Sequence, residues 1–129
     1  MTLDRFVTLV RSLRALGGVM VLGGTAHWGG VALRAASEEG LESPVPYLIL
    51  IGLAQTSGGA AFVAAGGAVA RRERAARALT LLASYVTCVY AIAVLPVLVA
   101  GAPVLFVIAP VVYVVGAATL AALVLRRAL

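Results

Sequence analysis

Charged residues are scarce in this chain. Only 12% of its 129 residues are Asp, Glu or Arg, lysine is absent, and 63% of the residues are hydrophobic. A water-soluble domain needs a charged surface, so this composition indicates a polytopic membrane protein. The net charge of +5 arises from arginines that flank apolar runs, so it does not indicate a nucleic-acid partner.

Residue types that carry chemistry are equally scarce. The single Cys88 excludes an internal disulfide, a CxxC redox pair and a cysteine-based zinc site. No metal-ligand cluster, nucleophile elbow or phosphate-binding loop is present. The five carboxylates all lie outside the apolar runs, whereas a proton-coupled carrier usually places one inside the membrane. We therefore predict no catalytic residue and no metal site, and we expect that the protein is not an enzyme.

The apolar residues fall into four runs. A spanning helix takes about 20 apolar residues, so four crossings use most of the chain. We predict an all-α fold, a four-helix bundle with short loops that forms a single membrane domain over residues 1–129. The predicted spans are about 15–33, 47–70, 78–100 and 104–125.

The N-terminal segment, residues 2–14, precedes the first span. Its apolar residues recur at helical spacing: Leu3, Phe6, Val7, Val10 and Leu13. This pattern predicts a short amphipathic helix that lies at the membrane interface. A signal peptide is the alternative, with Arg5, Arg11 and Arg14 as its basic region. The apolar run continues to Leu33 without a convincing small-x-small cleavage site, which favours the interfacial helix.

The arginines indicate an orientation. If both termini lie in the cytoplasm, nine of the ten arginines are cytoplasmic: Arg5, Arg11, Arg14, Arg71, Arg72, Arg74, Arg77, Arg126 and Arg127. Only Arg34 is then outside, close to Glu38, Glu39 and Glu42. Because positive residues concentrate on the cytoplasmic side, we predict a multi-pass protein of the cell inner (plasma) membrane with both termini inside.

The first span is rich in glycine and contains the only histidine, His27. Glycine pairs occur at 17/18, 23/24 and 29/30. Steps of seven place Gly17 with Gly24, and Gly23 with Gly30, on shared helix faces. One face is formed by Met20, Gly23, His27, Gly30 and Arg34. Small residues let a second backbone or a flat ligand approach closely, so both helix packing and ligand binding remain open.

Polar residues of the other spans lie at depths similar to that of His27. They predict an intramembrane polar layer of His27, Gln55, Tyr90 and Tyr113, provided that all four face inward. In one interpretation this layer is a hydrogen-bond network that fixes helix register. In the other it is a cofactor site for haem, a chlorophyll-type pigment or a quinone, with His27, Gly23, Gly30 and Gln55 as binding residues. Gly23-x-x-x-His27 resembles the small-x-x-x-His element of light-harvesting helices.

The arrangement as a whole resembles a known architecture. An N-terminal arginine segment, a glycine-rich first helix with a histidine and three further short-looped helices resemble the small four-helix membrane proteins of the DoxX type. The resemblance implies architecture alone, and it assigns no residue.

Three functions are compatible with the sequence. The leading hypothesis is an accessory or structural subunit of a larger membrane complex, which packs through small residues on other membrane subunits or on copies of itself. The second is a haem-, pigment- or quinone-binding subunit that uses His27. The third is a small channel or a lipid or solute transporter. In each case the lipid bilayer is the surrounding partner.

Overall fold

A computed structural model describes residues 2–37, 45–101 and 104–126 of the chain. The described residues form four helices: α1 Leu3–Ser37, α2 Val45–Ala70, α3 Ala75–Val99 and α4 Leu105–Arg126. Within these ranges each helix is long and apolar enough to cross a membrane. The predicted all-helical class with four such helices is therefore confirmed, and it is consistent with a multi-pass membrane protein.

The first helix differs from its prediction. Residues 2–14 were expected to form a separate helix before the span, but α1 is one continuous helix of 35 residues. No proline or turn residue interrupts it near residue 14, and Leu9, Val10 and Leu13 are buried in the bundle core. Packing therefore continues the helix through this point. An interfacial position for its first turns stays a prediction.

The helices pack in chain order around a common core. α1 lies against α2, α2 against α3 and α3 against α4, and a smaller α1–α4 interface completes the bundle. Neighbouring helices are antiparallel. Gly17 and Gly24 of α1 lie beside Gly59 and Gly52 of α2, in reverse order. The same reversal relates α2 to α3, where Tyr47 contacts Ala93 and Gly58 lies beside Thr87. The starts of α1 and α3 and the ends of α2 and α4 consequently meet at one end. We call this the arginine end, and its described arginines are Arg5, Arg11, Arg14, Arg71, Arg72, Arg74, Arg77 and Arg126.

A line of glycines, here called the glycine seam, joins α1 to α2. It consists of Gly17 and Gly24 on α1 and of Gly52, Gly59 and Gly66 on α2. A Cβ added to Gly17 would lie 2.5 Å from the Gly59 carbonyl oxygen, which real side chains do not tolerate. The step of seven residues on both helices keeps these contacts on one face of each helix over several turns. At Gly17 and Gly24 the structure shows helix packing, which is one of the two possibilities that the sequence left open.

The end of α2 is held by a tight turn. The Glu73 N–H donates to the Ala68 carbonyl at 2.9 Å, and the Arg72 N–H donates to the Val69 carbonyl at 3.0 Å. This is the Schellman arrangement that satisfies the last carbonyls of a helix. Arg72 holds the left-handed position with φ 55°, and its guanidinium lies 5.5 Å from the centre of the Phe6 ring. The turn is thereby attached to the start of α1.

Candidate functional site

Three polar side chains from three helices meet in the interior of the bundle. Gln55 of α2, Tyr90 of α3 and Tyr113 of α4 are each less than 9% exposed. The Gln55 amide Nε2 donates to the Tyr113 hydroxyl at 3.2 Å. The ring centroids of Tyr90 and Tyr113 are 6.1 Å apart with the planes tilted by 45°, within the range of favourable aromatic pairs. We call these three residues the polar cluster.

The remaining helix, α1, borders the polar cluster with a glycine. A Cβ added to Gly23 of α1 would lie 2.8 Å from Gln55 Nε2 and 3.4 Å from the Tyr113 hydroxyl. The missing side chain leaves the space that the amide and the phenol occupy. Any side chain at this position would overlap the Gln55 amide, which explains why residue 23 is a glycine.

The hydrogen bond of the polar cluster joins helices on opposite sides of the bundle. Over the residues that the structure describes, α2 and α4 share no backbone interface. The Gln55–Tyr113 bond therefore crosses the bundle centre and ties together two helices that otherwise pack only through α1 and α3. Interhelical bonds of this kind contribute about 0.6 kcal/mol on average in membranes.

His27 lies one helical turn beyond Gly23, away from the arginine end. Its Nε2 is 3.0 Å from the backbone carbonyl oxygen of Leu48 in α2. A carbonyl oxygen can only accept, so Nε2 carries the proton and donates it. The ring also fills the space beside Gly52, where an added Cβ would lie 2.9 Å from His27 Cδ2. The histidine is therefore docked on the first turn of α2.

This hydrogen bond bears on the cofactor hypothesis. A metal or the magnesium of a pigment binds the lone pair of a neutral imidazole nitrogen. Nε2 cannot offer that lone pair while it carries the proton that Leu48 accepts. Coordination through Nε2 would require the bond to Leu48 to break and the ring to change its tautomer.

The structure brings together most of the predicted layer. Gln55, Tyr90 and Tyr113 are in contact, whereas His27 lies in the next layer and bonds to α2. Of the glycines predicted to line a cofactor, Gly23 contacts the polar cluster, but Gly30 has no atom within 4 Å of the place where its Cβ would be. Ligand binding by His27, Gly23, Gly30 and Gln55 stays a prediction.

Two features of the interior were missed by sequence reasoning. The Tyr47 hydroxyl of α2 donates to the Ala93 carbonyl of α3. Pro96 removes the N–H that would bond to the Ile92 carbonyl, one residue before Ala93, so the proline does not by itself indicate Ala93 as the acceptor. The Trp28 indole N–H is buried without a hydrogen-bond partner among the described residues, and no sequence pattern indicates it.

Other buried polar groups bond within their own helices. The Thr80 hydroxyl donates to the Ala76 carbonyl, and the Thr87 hydroxyl donates to the Ala83 carbonyl, each at 2.7 Å. Among the described residues no group of three or more His, Cys, Asp or Glu could hold a metal ion. The buried hydroxyl groups of Thr80 and Thr87 thus have hydrogen-bond acceptors within α3, so their burial costs little.

The comparisons with known proteins give no family. No family model matches the chain, no curated protein matches it, and no solved structure matches it. The architectural resemblance to DoxX-type proteins is not supported by any of these comparisons.

Proposed function

We propose that this chain is an accessory or structural subunit of a larger membrane complex, with both termini in the cytoplasm, and that α1 docks a neighbouring transmembrane helix. The observation that carries the proposal is a pair of glycines, Gly18 and Gly29, on the outward side of α1. Nothing lies within 4 Å of the place where either Cβ would be. The exposed Thr25 lies between them.

The two outward glycines share one face. They are eleven residues apart, which places them within about 20° of each other around the helix axis. The inward face of the same helix uses Gly17 and Gly24 to bring the α2 backbone into contact. A second helix on the outward face would gain the same close backbone packing, which is the main source of helix association inside a membrane.

The interior supports a structural role for the polar residues. The His27 ring bonds to Leu48, and Gln55 bonds to Tyr113. These bonds link α1 to α2 and α2 to α4, so they hold the helices at fixed heights relative to each other. A rigid scaffold of this kind presents its outward face of α1 in a constant orientation, as a docking subunit requires.

The orientation rests on the arginine end. That end carries eight described arginines, and the opposite end carries Arg34 alone among the described residues. Because arginine-rich loops are retained in the cytoplasm, the termini and the α2–α3 turn are assigned to that side.

The test is the size of the particle extracted from native membranes in a mild detergent. The full chain should migrate on a native gel well above its own mass of 13.1 kDa plus that of a detergent micelle. Gly18→Leu combined with Gly29→Leu should reduce it to the size of the isolated chain, since leucine keeps a partner backbone away. Ala64→Leu is the matched control, because Ala64 is exposed on α2 and lies off the proposed face.

Two outcomes overturn the proposal. One is a wild-type chain that is isolated in the gentlest extraction. The other is a large particle that responds to the double glycine substitution no differently from the Ala64→Leu control.

A further inference from the structure

The α1–α4 interface opens into a groove near the arginine end. The groove has a volume of about 380 Å³ and lies between the first three turns of α1 and the last turns of α4. It forms where the bundle is least closely packed, since α1 and α4 share the smallest interface of the four helix pairs. Its volume lies within the range of small-molecule sites.

The two walls of the groove differ in chemistry. The α1 wall is polar and carries Asp4 and Arg5 at the mouth, followed by Thr8 and Ser12 at steps of about 6 Å along the helix. The α4 wall is apolar. It is formed by Leu120 and Leu123, and Leu9 of α1 closes the floor between the walls.

The charges at the mouth are opposite and adjacent. Asp4 and Arg5 are both exposed, and neither forms an ion pair with any other residue that the structure describes. The Thr8 hydroxyl already donates to the Asp4 backbone carbonyl at 2.8 Å. The Asp4 carboxylate and the Arg5 guanidinium are thus both available to a ligand that carries one charge of each sign.

We infer that this groove binds one phospholipid with a phosphoethanolamine head group. The Arg5 guanidinium accommodates the phosphate oxygens in its planar array of donors, and the Asp4 carboxylate accepts hydrogen bonds from the ammonium. An acyl chain lies along Leu120 and Leu123. The inference is independent of the proposed docking face, because Gly18 lies on a different side of α1.

Charge complementarity selects this head group over its competitors. A phosphatidylglycerol head group is anionic and offers no cation to Asp4. A choline head group carries a cation without an N–H, so it cannot donate a hydrogen bond to the Asp4 carboxylate. Phosphoethanolamine alone among these three matches both side chains.

The experiment measures lipid retention by native mass spectrometry. The purified full chain in neutral detergent is mixed with phosphatidylethanolamine, phosphatidylglycerol and phosphatidylcholine of identical acyl chains. We expect wild-type protein to retain the ethanolamine lipid about tenfold better than the other two, as hydrogen bonds to charged groups are worth this ratio.

Two charge substitutions test the contributions of Asp4 and Arg5 separately. Asp4→Asn should abolish the preference for phosphatidylethanolamine over phosphatidylglycerol, and Arg5→Gln should weaken retention of both lipids. Arg74→Gln is the matched control, because it removes the same charge from the arginine end at an exposed position in the α2–α3 turn. It should leave the lipid preference unchanged.

A steric substitution locates the site. Ser12→Phe fills the groove and should eliminate retention of phosphatidylethanolamine while the helix content measured by circular dichroism stays that of the wild type. The inference is wrong if the three lipids are retained equally, if Asp4→Asn keeps the ethanolamine preference, or if Ser12→Phe protein still retains the lipid.

Discussion

Single glycines set the distance between α1 and α2. Neighbouring glycines of α1 have different surroundings. Gly17 packs against the Gly59 backbone, whereas its neighbour Gly18 has open space beyond it. The two residues share a local sequence and a helical conformation, so only their surroundings distinguish them. They form a matched pair for measuring what the close approach is worth.

Gly17→Ala should lower the free energy of unfolding by about 1–3 kcal/mol, because its methyl group overpacks the seam. Gly18→Ala should raise it by up to about 1 kcal/mol, because alanine is the better helix former. The measurement is reversible unfolding of the full chain in detergent. Equal changes in the two variants would contradict the seam as described.

The Gln55–Tyr113 bond is the second feature that belongs to single residues. Tyr113→Phe leaves the buried Gln55 amide without its acceptor, and we expect a loss of about 1–2 kcal/mol of unfolding free energy. A double-mutant cycle with Gln55→Leu should give a coupling of about 0.6 kcal/mol, and no more than about 1.7 kcal/mol. Tyr85→Phe, at a tyrosine that is 69% exposed, should have no effect. A coupling of zero would show that the bond does not contribute.

At the scale of the elements, the turn after α2 contains two opposed effects at one residue. Arg72 occupies a left-handed conformation, which costs a residue with a side chain about 1–2 kcal/mol. Its guanidinium lies over the Phe6 ring, and such a contact returns about 0.5–1 kcal/mol at an exposed position. The left-handed conformation of Arg72 is thus destabilising, and its contact with Phe6 offsets part of this cost while it attaches the turn to α1.

Arg72→Gly should therefore change the stability of the wild-type chain by less than about 1 kcal/mol, since it removes both effects. In a Phe6→Leu background the same substitution should be stabilising by about 1 kcal/mol, because only the strain is then removed. Unfolding of the four chains of this cycle gives both values. Identical effects of Arg72→Gly in both backgrounds would exclude the contact with Phe6.

The helices themselves were accessible to sequence reasoning, but their rotations were not. Apolar runs bounded by arginine, proline and glycine place α2, α3 and α4 within a few residues of their observed bounds. The continuity of α1 was missed, because burial of Leu9 and Leu13 depends on α1 packing against its neighbours. Likewise, the meeting of Tyr90 with Tyr113 depends on how each helix is turned about its axis, and packing of the whole bundle decides that.

At the scale of the whole molecule, the arginines form an asymmetric charge distribution along the bundle axis. The structure separates the arginine end from the opposite end of the bundle, where Arg34 lies. From the positive-inside rule we expect the arginine end to lie in the cytoplasm, and this orientation can be measured directly.

Single cysteines introduced into a Cys88→Ala chain should show which side of the membrane each end of the bundle faces. In intact cells a membrane-impermeant maleimide should label Glu39→Cys, between the first and second helices. It should label Ala75→Cys, at the start of α3, only after the membrane is permeabilised. The four crossings alternate in direction, so a reversed labelling order would show that both termini lie outside. Labelling of both sites in intact cells would indicate a mixed topology.

The glycine seam has a consequence for how the chain assembles. A repeat of seven is periodic, so sliding α1 by seven residues along α2, about 10 Å, would again set both seam glycines of α1 opposite glycines, Gly17 against Gly66 and Gly24 against Gly59. Glycines alone therefore cannot tell the correct register from its neighbour. In the shifted pairing His27 would lose the Leu48 carbonyl, because its ring would lie seven residues further along α2. The His27–Leu48 hydrogen bond thus distinguishes the observed register of α1 and α2 from its neighbour, which the glycines alone do not.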